Sequence, residues 1–227
     1  MQRSEKRLNR LKRMLMGLLV FVLLVSLLGG CGKKKSQPYV YKGVNILVNG
    51  DMEIGDPVGE FPLGWTRWGQ YFEIIDNKME YGNVFKEGAL IEDISWVLVD
   101  GNDGNKCIKI ETETGDVFLC IHQVVKKNIP VGKKIKLTVN IKTENLEGPG
   151  VAIALRCDGP EVNGQIQFSQ FVTSQGTIPI KGTKDWTKYT VELDQKVRPG
   201  IETINVYLLY LEDTSGTVYF DDASLIY

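Results

Sequence analysis

Ile135-Lys136-Leu137-Thr138-Val139-Asn140-Ile141-Lys142 alternates apolar and polar side chains without a break. Successive side chains of a strand point to opposite faces, so this octet buries one face and wets the other. Pro130-Val131-Gly132 precedes the pattern and Gly148-Pro149-Gly150 follows it, and such clusters punctuate strands with turns. Beyond the second cluster, Val151, Ile153 and Leu155 alternate with Ala152, Ala154 and Arg156. Thr187 to Leu193, Ile204 to Leu211 and Val218 to Ile226 read as further strands, with Arg198-Pro199-Gly200 between the first two. No segment after residue 30 keeps a helical period over three turns, and no repeat is visible. The expectation is an all-β domain: two antiparallel sheets packed as a jelly-roll sandwich. Gly69 to Asn105 and Asp158 to Thr183 show few clean alternations, and long connections of this kind are often functional.

The N-terminus follows a different logic. Arg3, Lys6, Arg7, Arg10, Lys12 and Arg13 stand against Glu5, and an uncharged apolar run then extends from Met14 to Leu28. A basic start, a run of about 15 apolar residues and small residues before a cut site form a signal-peptide pattern. The run falls short of the roughly 20 residues that a spanning helix needs. Leu28-Gly29-Gly30-Cys31 resembles the lipobox of bacterial lipoproteins. That resemblance implies cleavage before Cys31, lipid on its thiol, and an extracytoplasmic chain held at the cell membrane. An uncleaved N-terminal anchor is the alternative, and it leaves the rest of the chain on the same side. Three segments are expected: a signal peptide over 1–30, lipidated Cys31 with a short tether over 31–44, and one domain over 45–227.

Six of the 27 basic and one of the 28 acidic residues lie in residues 1–30, leaving 21 against 27, a net charge of −6. Such a domain lacks the basic character expected of a nucleic-acid binder. Lys33-Lys34-Lys35 after the anchor is either a solvated tether or a contact to anionic lipid. With Cys31 assigned to lipid, Cys107, Cys120 and Cys157 remain, an odd number for an exported chain. Lys106 to Glu111 and Asp116 to Val124 read as a hairpin. If Glu111 faces Asp116, Cys107 lies across from Cys120 and the two can form a disulfide. A slip in register removes that pairing.

Several stretches, in order, carry a family resemblance. Asn45-Ile46-Leu47-Val48-Asn49-Gly50-Asp51-Met52-Glu53 and Pro62-Leu63-Gly64-Trp65 resemble the opening of carbohydrate-binding modules of families four, nine and twenty-two. His122-Gln123-Val124-Val125, Pro130-Val131-Gly132-Lys133 and Leu137 to Thr143 resemble their central strands. Asp185-Trp186-Thr187-Lys188-Tyr189 and Val218 to Leu225 resemble their closing ones. Met52 departs from the pattern, since an aromatic is usual there. The resemblance implies a galactose-binding-like jelly roll that binds polysaccharide or oligosaccharide, often beside a glycoside hydrolase. It also implies a structural Ca²⁺ held by Asp51, Glu53, the backbone carbonyl of Lys106, and Asp221 in preference to Asp222. Carboxylates and carbonyls are the oxygen donors that Ca²⁺ selects.

Sugar recognition combines flat apolar surfaces with planar polar groups. If Leu119 and Ile121 face the core, Phe118, Cys120 and His122 project outward, and the same alternation turns Arg156 and Tyr207 outward. Gln165 and Gln167 share a face opposite Ile166 and Phe168. The expected cleft gathers His122, Arg156, Gln165, Gln167 and Tyr207, with Trp68 and Trp96 as stacking platforms. Trp65 and Trp186 are assigned to the core. Each choice has a plainer alternative: a satisfied strand histidine, an arginine paired with a neighbouring acid, tryptophans that anchor loops. With a single histidine and no recognisable glycosidase carboxyl motif, the expected function is non-catalytic glycan binding, with a separate hydrolase or transporter as partner. A protein-interaction module on the same fold and a small glycan-cleaving enzyme are the rivals.

Overall fold

The computed structural model describes residues 43–227, apart from residues 58, 76–77, 87–88, 91–93, 102–103 and 114. The side chains of 72–81 and 86–90 also lie outside the description. So do Cys31, the lysines after it and all but the end of the tether.

The strands run in chain order as β1 (Thr66–Ile75), β2 (Lys78–Asn83), β3 (Phe85–Lys86), β4 (Ala89–Leu90), β5 (Ile94–Asp100), β6 (Lys106–Thr112) and β7 (Val117–Val125). There follow β8 (Lys136–Asp158), β9 (Glu161–Val162), β10 (Gln165–Ile166), β11 (Ser169–Thr173), β12 (Ile180–Glu192), β13 (Thr203–Tyr210) and β14 (Ser215–Ile226). Ten of them form one antiparallel sheet in the order β2-β1-β7-β13-β8-β14-β6-β5, with β11 and β12 also paired to β8. The fold is the expected all-β antiparallel sandwich. Among the described residues there is no helix.

The two layers share a strand. The octet at Ile135 and the alternation after Val151 belong to a single 23-residue strand, β8. Its first part pairs with β12 and β14, and its last part with β11 and β13. Between them lie Gly148 and Gly150, at φ 78° and 86°, a left-handed conformation that only glycine adopts without cost. A Cβ on Gly150 would stand 2.3 Å from the carbonyl oxygen of Ile180. We call β12, early β8, β14, β6 and β5 layer I, and β11, late β8, β13, β7, β1 and β2 layer II. The core is a cluster to which both contribute, with Ile108, Ile141 and Phe220 from layer I and Ile121, Ile153 and Leu208 from layer II, all 0 % exposed.

The hairpin expected from Lys106 to Val124 does not form. β6 pairs with β5 and β14, whereas β7 pairs with β1 and β13. Consecutive strands β6 and β7 therefore belong to different layers instead of pairing with each other. Cys107 and Cys120 end on different layers, and the Cys107–Cys120 disulfide is not made. Cys107, Cys120 and Cys157 are buried free thiols.

Asparagine and glutamine side chains dock the opening segment. Asn45 Oδ1 accepts the N–H groups of Leu47 and Leu225, and its Nδ2 donates to the Ala223 carbonyl. The Gln123 amide works like a strand edge: Oε1 accepts from Val48 N at 2.8 Å and Nε2 donates to Val48 O at 2.9 Å. The first segment thus lies beside the last strand. Met52 is fully buried and fills the place where an aromatic was expected.

Candidate functional site on the outer face of layer II

Alternation and register decide which side chains share the outer face of layer II. Residues directly opposite on neighbouring strands point the same way. Thr66 pairs with His122, His122 with Tyr207, and Tyr207 with Ala154. Trp68 pairs with Cys120, and Cys120 with Leu209. Asn205 pairs with Arg156, and Arg156 with Phe171. Reading inward positions in the same way gives Leu119, Ile121, Val206 and Leu208, all buried at 0 %.

This face collects His122, Arg156, Tyr207 and Trp68, as expected. Trp68 is 44 % exposed and tilts against Phe118 with ring centroids 5.5 Å apart. Phe171, 59 % exposed, stands on β11 across the sheet. Four inter-strand steps separate β1 from β11, roughly 19 Å at the usual strand spacing. Between these aromatics the surface is polar. His122 and Tyr207 stack with centroids 4.8 Å apart and planes within 9°, and the Arg156 guanidinium lies 5.9 Å from the Tyr207 ring. Arg156 Nε donates to Asp158 Oδ2 at 2.9 Å, so the arginine does pair with a neighbouring acid while remaining on the face. His122 Nε2 meets Asn205 Oδ1 at 3.2 Å, and Asn205 Nδ2 donates to Asp158 Oδ2 at 2.8 Å. Burial lowers the His122 pKa, partly offset by the Asn205 bond. Burial raises that of Tyr207.

Two expectations are corrected. Trp96 is not a stacking platform: it is fully buried on β5, edge-on to Phe61 at 6.2 Å and tilted against Phe85 at 6.1 Å. The Arg67 guanidinium closes this pocket of rings, 5.1 Å from Phe61 and 5.3 Å from Phe85, and donates to the Trp96 carbonyl at 2.8 Å. Trp186 is not in the core but half-buried on the outer face of layer I, its ring 6.2 Å from that of Tyr219. Gln165 and Gln167 are exposed on the β9–β10 hairpin, where Gln167 Nε2 donates to the Gln165 carbonyl. No described hydrogen bond brings them to His122. Trp65 is buried as expected, and its Nε1 donates to the Asn49 carbonyl.

Asn205 and Asp158 were missed, although each sits two residues from a named position, Tyr207 and Arg156, and the period of two was the available signal. Phe171 lies in the stretch without clean alternation and gave none.

Layer I carries a separate cleft of about 410 Å³, lined by Glu111, Glu113, Glu144, Asn145, Glu147 and Thr217 among others. Two of its four carboxylates are already engaged. Glu111 is bonded to Lys109 and Thr217, and Glu144 to Lys142 and Tyr219. These bonds hold both below the usual carboxylate range. A glycosidase acid needs a raised pKa, and neither of these two has one.

The acids expected around calcium do approach one another. Asp221 is pushed up to about 8 by burial and then by the charges of Asp222, Glu53 and Asp51. Glu53 Oε1 accepts from the backbone N–H of Lys106 at 2.7 Å, which brings that residue to the same place. The donor chemistry fits an oxygen-seeking cation. Among the described residues no three acids, histidines or cysteines are already set around a common centre.

No family model matches the chain, and a search of curated proteins finds no relative. Solved structures do resemble it. A cyclase from Fischerella sp. TAU is 16 % identical, with a TM-score of 0.52 over 81 % of this chain and 96 % of that one. The enzymatically active domain of tailspike protein 4 of bacteriophage CBA120 is 12 % identical at a TM-score of 0.52, covering 80 % of this chain. The chain spans only about a fifth, 21 %, of that tailspike. A family 4 carbohydrate-binding module is 17 % identical at a TM-score of 0.41, with 79 % and 98 % of the two chains covered. At these identities the likeness concerns the fold.

Proposed function

We propose that this chain is a membrane-anchored, non-catalytic carbohydrate-binding lipoprotein that holds a polysaccharide or oligosaccharide across the outer face of layer II. The observation that carries it is the composition of that face. Exposed Trp68 and Phe171 stand at opposite sides of a band formed by His122, Tyr207, Arg156 and Asn205. Rings supply flat surfaces for the C–H faces of sugars, and the planar polar groups meet their hydroxyls. The lipobox-like Leu28 to Cys31 supports anchoring, and two acyl chains give stable membrane attachment. A short tether keeps the bound glycan near the membrane, within reach of a separate glycoside hydrolase or transporter. Ca²⁺ at Asp51, Glu53, Lys106 and Asp221 would act as a structural tie between the first and last segments.

Affinity electrophoresis of the full chain through gels containing plant and bacterial polysaccharides tests the reading. Retardation by at least one glycan, weakened by Trp68→Ala and by Tyr207→Ala, is expected. Free migration in every gel would overturn it. Release of reducing sugar from the same glycans would overturn the non-catalytic part, and failure of Cys31 to incorporate labelled fatty acid would overturn the anchor.

A further inference from the structure

Asn205 is an amide with one donating and one accepting end, and its surroundings fix its orientation. Its nitrogen faces Asp158 Oδ2 at 2.8 Å and the Arg156 carbonyl oxygen at 3.3 Å. Asp158 Oδ2 also receives Arg156 Nε at 2.9 Å, so it acts as an acceptor. Two acceptors require the amide nitrogen, not its oxygen, on that side. Oδ1 is thereby turned to His122 Nε2. An amide oxygen only accepts, so Nε2 carries the proton and the other ring nitrogen of neutral histidine is bare. No described hydrogen bond engages Nδ1. Asp158 itself is 4 % exposed, and its second oxygen, Oδ1, has no partner. A buried carboxylate with an orphaned oxygen is costly and calls for an explanation beyond packing.

We propose that Asp158, acting through Asn205, is a positioning residue that locks His122 in the Nε2–H tautomer and so makes Nδ1 an acceptor for a hydroxyl of an uncharged sugar chain. The ligand half rests on the carbohydrate function proposed above; the tautomer half does not. The groups facing His122 are Arg156 and Asp158 on β8, Tyr207 on β13, Cys120 on its own strand β7 and the uncharged Thr66 on β1. Burial, and then the charge of Arg156, disfavour a positive charge on the ring, so the neutral form persists at physiological pH. Protonation at lower pH turns Nδ1 into a donor and removes the acceptor.

The chain has a single histidine, so its ring nitrogens can be read without assignment by long-range ¹H–¹⁵N NMR on the full chain in detergent at neutral pH. A protonated Nε2 and a bare Nδ1 are expected. In Asp158→Ala and in Asn205→Ala the two nitrogen shifts should converge as the tautomers mix. A wild-type ring protonated on Nδ1, or a folded variant with unchanged shifts, would overturn the relay. For a polysaccharide that retards the wild type, Asp158→Ala should weaken binding roughly tenfold, the scale of one lost hydrogen bond in a buried setting. Wild-type binding should fall as the pH drops below the ordinary histidine range, and His122→Gln should remove that pH response. Retention of full affinity by Asp158→Ala would sink the ligand half while leaving glycan binding itself standing. If no polysaccharide is retained, carbohydrate binding fails and takes the ligand half with it, and the NMR result still decides the relay.

Discussion

Trp68 and Trp96 carry the same indole into opposite environments, and the difference sets what each substitution does. Trp96→Ala empties a pocket closed by Phe61, Phe85 and Arg67. Deleting a buried tryptophan costs about 3–5 kcal/mol, so urea unfolding should show a correspondingly lower midpoint. Trp68→Ala removes a ring that is 44 % exposed. Its unfolding midpoint should stay close to that of the wild type, while retardation by a bound glycan should drop several-fold. A matching loss of stability in both variants would mean that Trp68 serves the core. The three thiols belong to this scale as well. Burial pushes Cys107, Cys120 and Cys157 up to about 12. Only the thiolate reacts, so a Cys31→Ser chain at pH 8 should resist iodoacetamide when native and take up three labels when unfolded.

Local hydrogen bonding explains how an opening segment without strand pairing is held. Gln123 on β7 gives both ends of its amide to Val48, and Asn49 bonds Ile54 and Leu63. Gln123→Ala leaves two backbone groups without these partners and should cost about 1–3 kcal/mol, measurable by chemical denaturation. Gly50 is a stricter requirement. A Cβ there would lie 2.1 Å from the Ala223 carbonyl oxygen, at the point where Ala223 N donates to Gly50 O. Gly50→Ala is therefore expected to lower the melting temperature more than Gln123→Ala does. The reverse order would show that the opening segment is not pinned through this contact. β8 makes a similar point, because its two parts serve two layers only through the conformations available to Gly148 and Gly150.

For the whole molecule, the junction of first and last segments is where a cation would matter. Asp221 is half-buried among Asp51, Glu53 and Asp222, and burial and like charge raise its pKa. An ionised carboxyl there is unfavourable without a counter-charge. With EDTA present, Asp221→Asn should raise the melting temperature at neutral pH; with Ca²⁺ present, the wild type should gain stability and the variant should not. Equal responses of the two proteins to Ca²⁺ would remove Asp221 from the proposed site. His122 acts in the opposite sense. Its pKa in the fold is lowered, so the stability tied to its neutral form is present above about pH 6.5 and lost as pH falls below that value.

Alternation by itself determined the all-β class, the strands at Ile135, Ile204 and Val218, and the outward turn of His122, Arg156 and Tyr207. It could do so because the side-chain period of a strand is local and needs no knowledge of partners. Partners were decided by the tertiary structure. Lys106 to Thr112 and Val117 to Val125 look like a hairpin because they are adjacent and alternate, yet each pairs into a different layer, and the cysteine pairing disappears with the hairpin. Trp96 looked like a loop aromatic because residues 69–105 alternate poorly. Its burial comes from Phe61, Phe85 and Arg67, a convergence that no spacing records. Asp158 and Asn205 stand on strands that the sequence had already located, but a hydrogen-bond relay across β8, β13 and β7 exists only once those strands lie side by side.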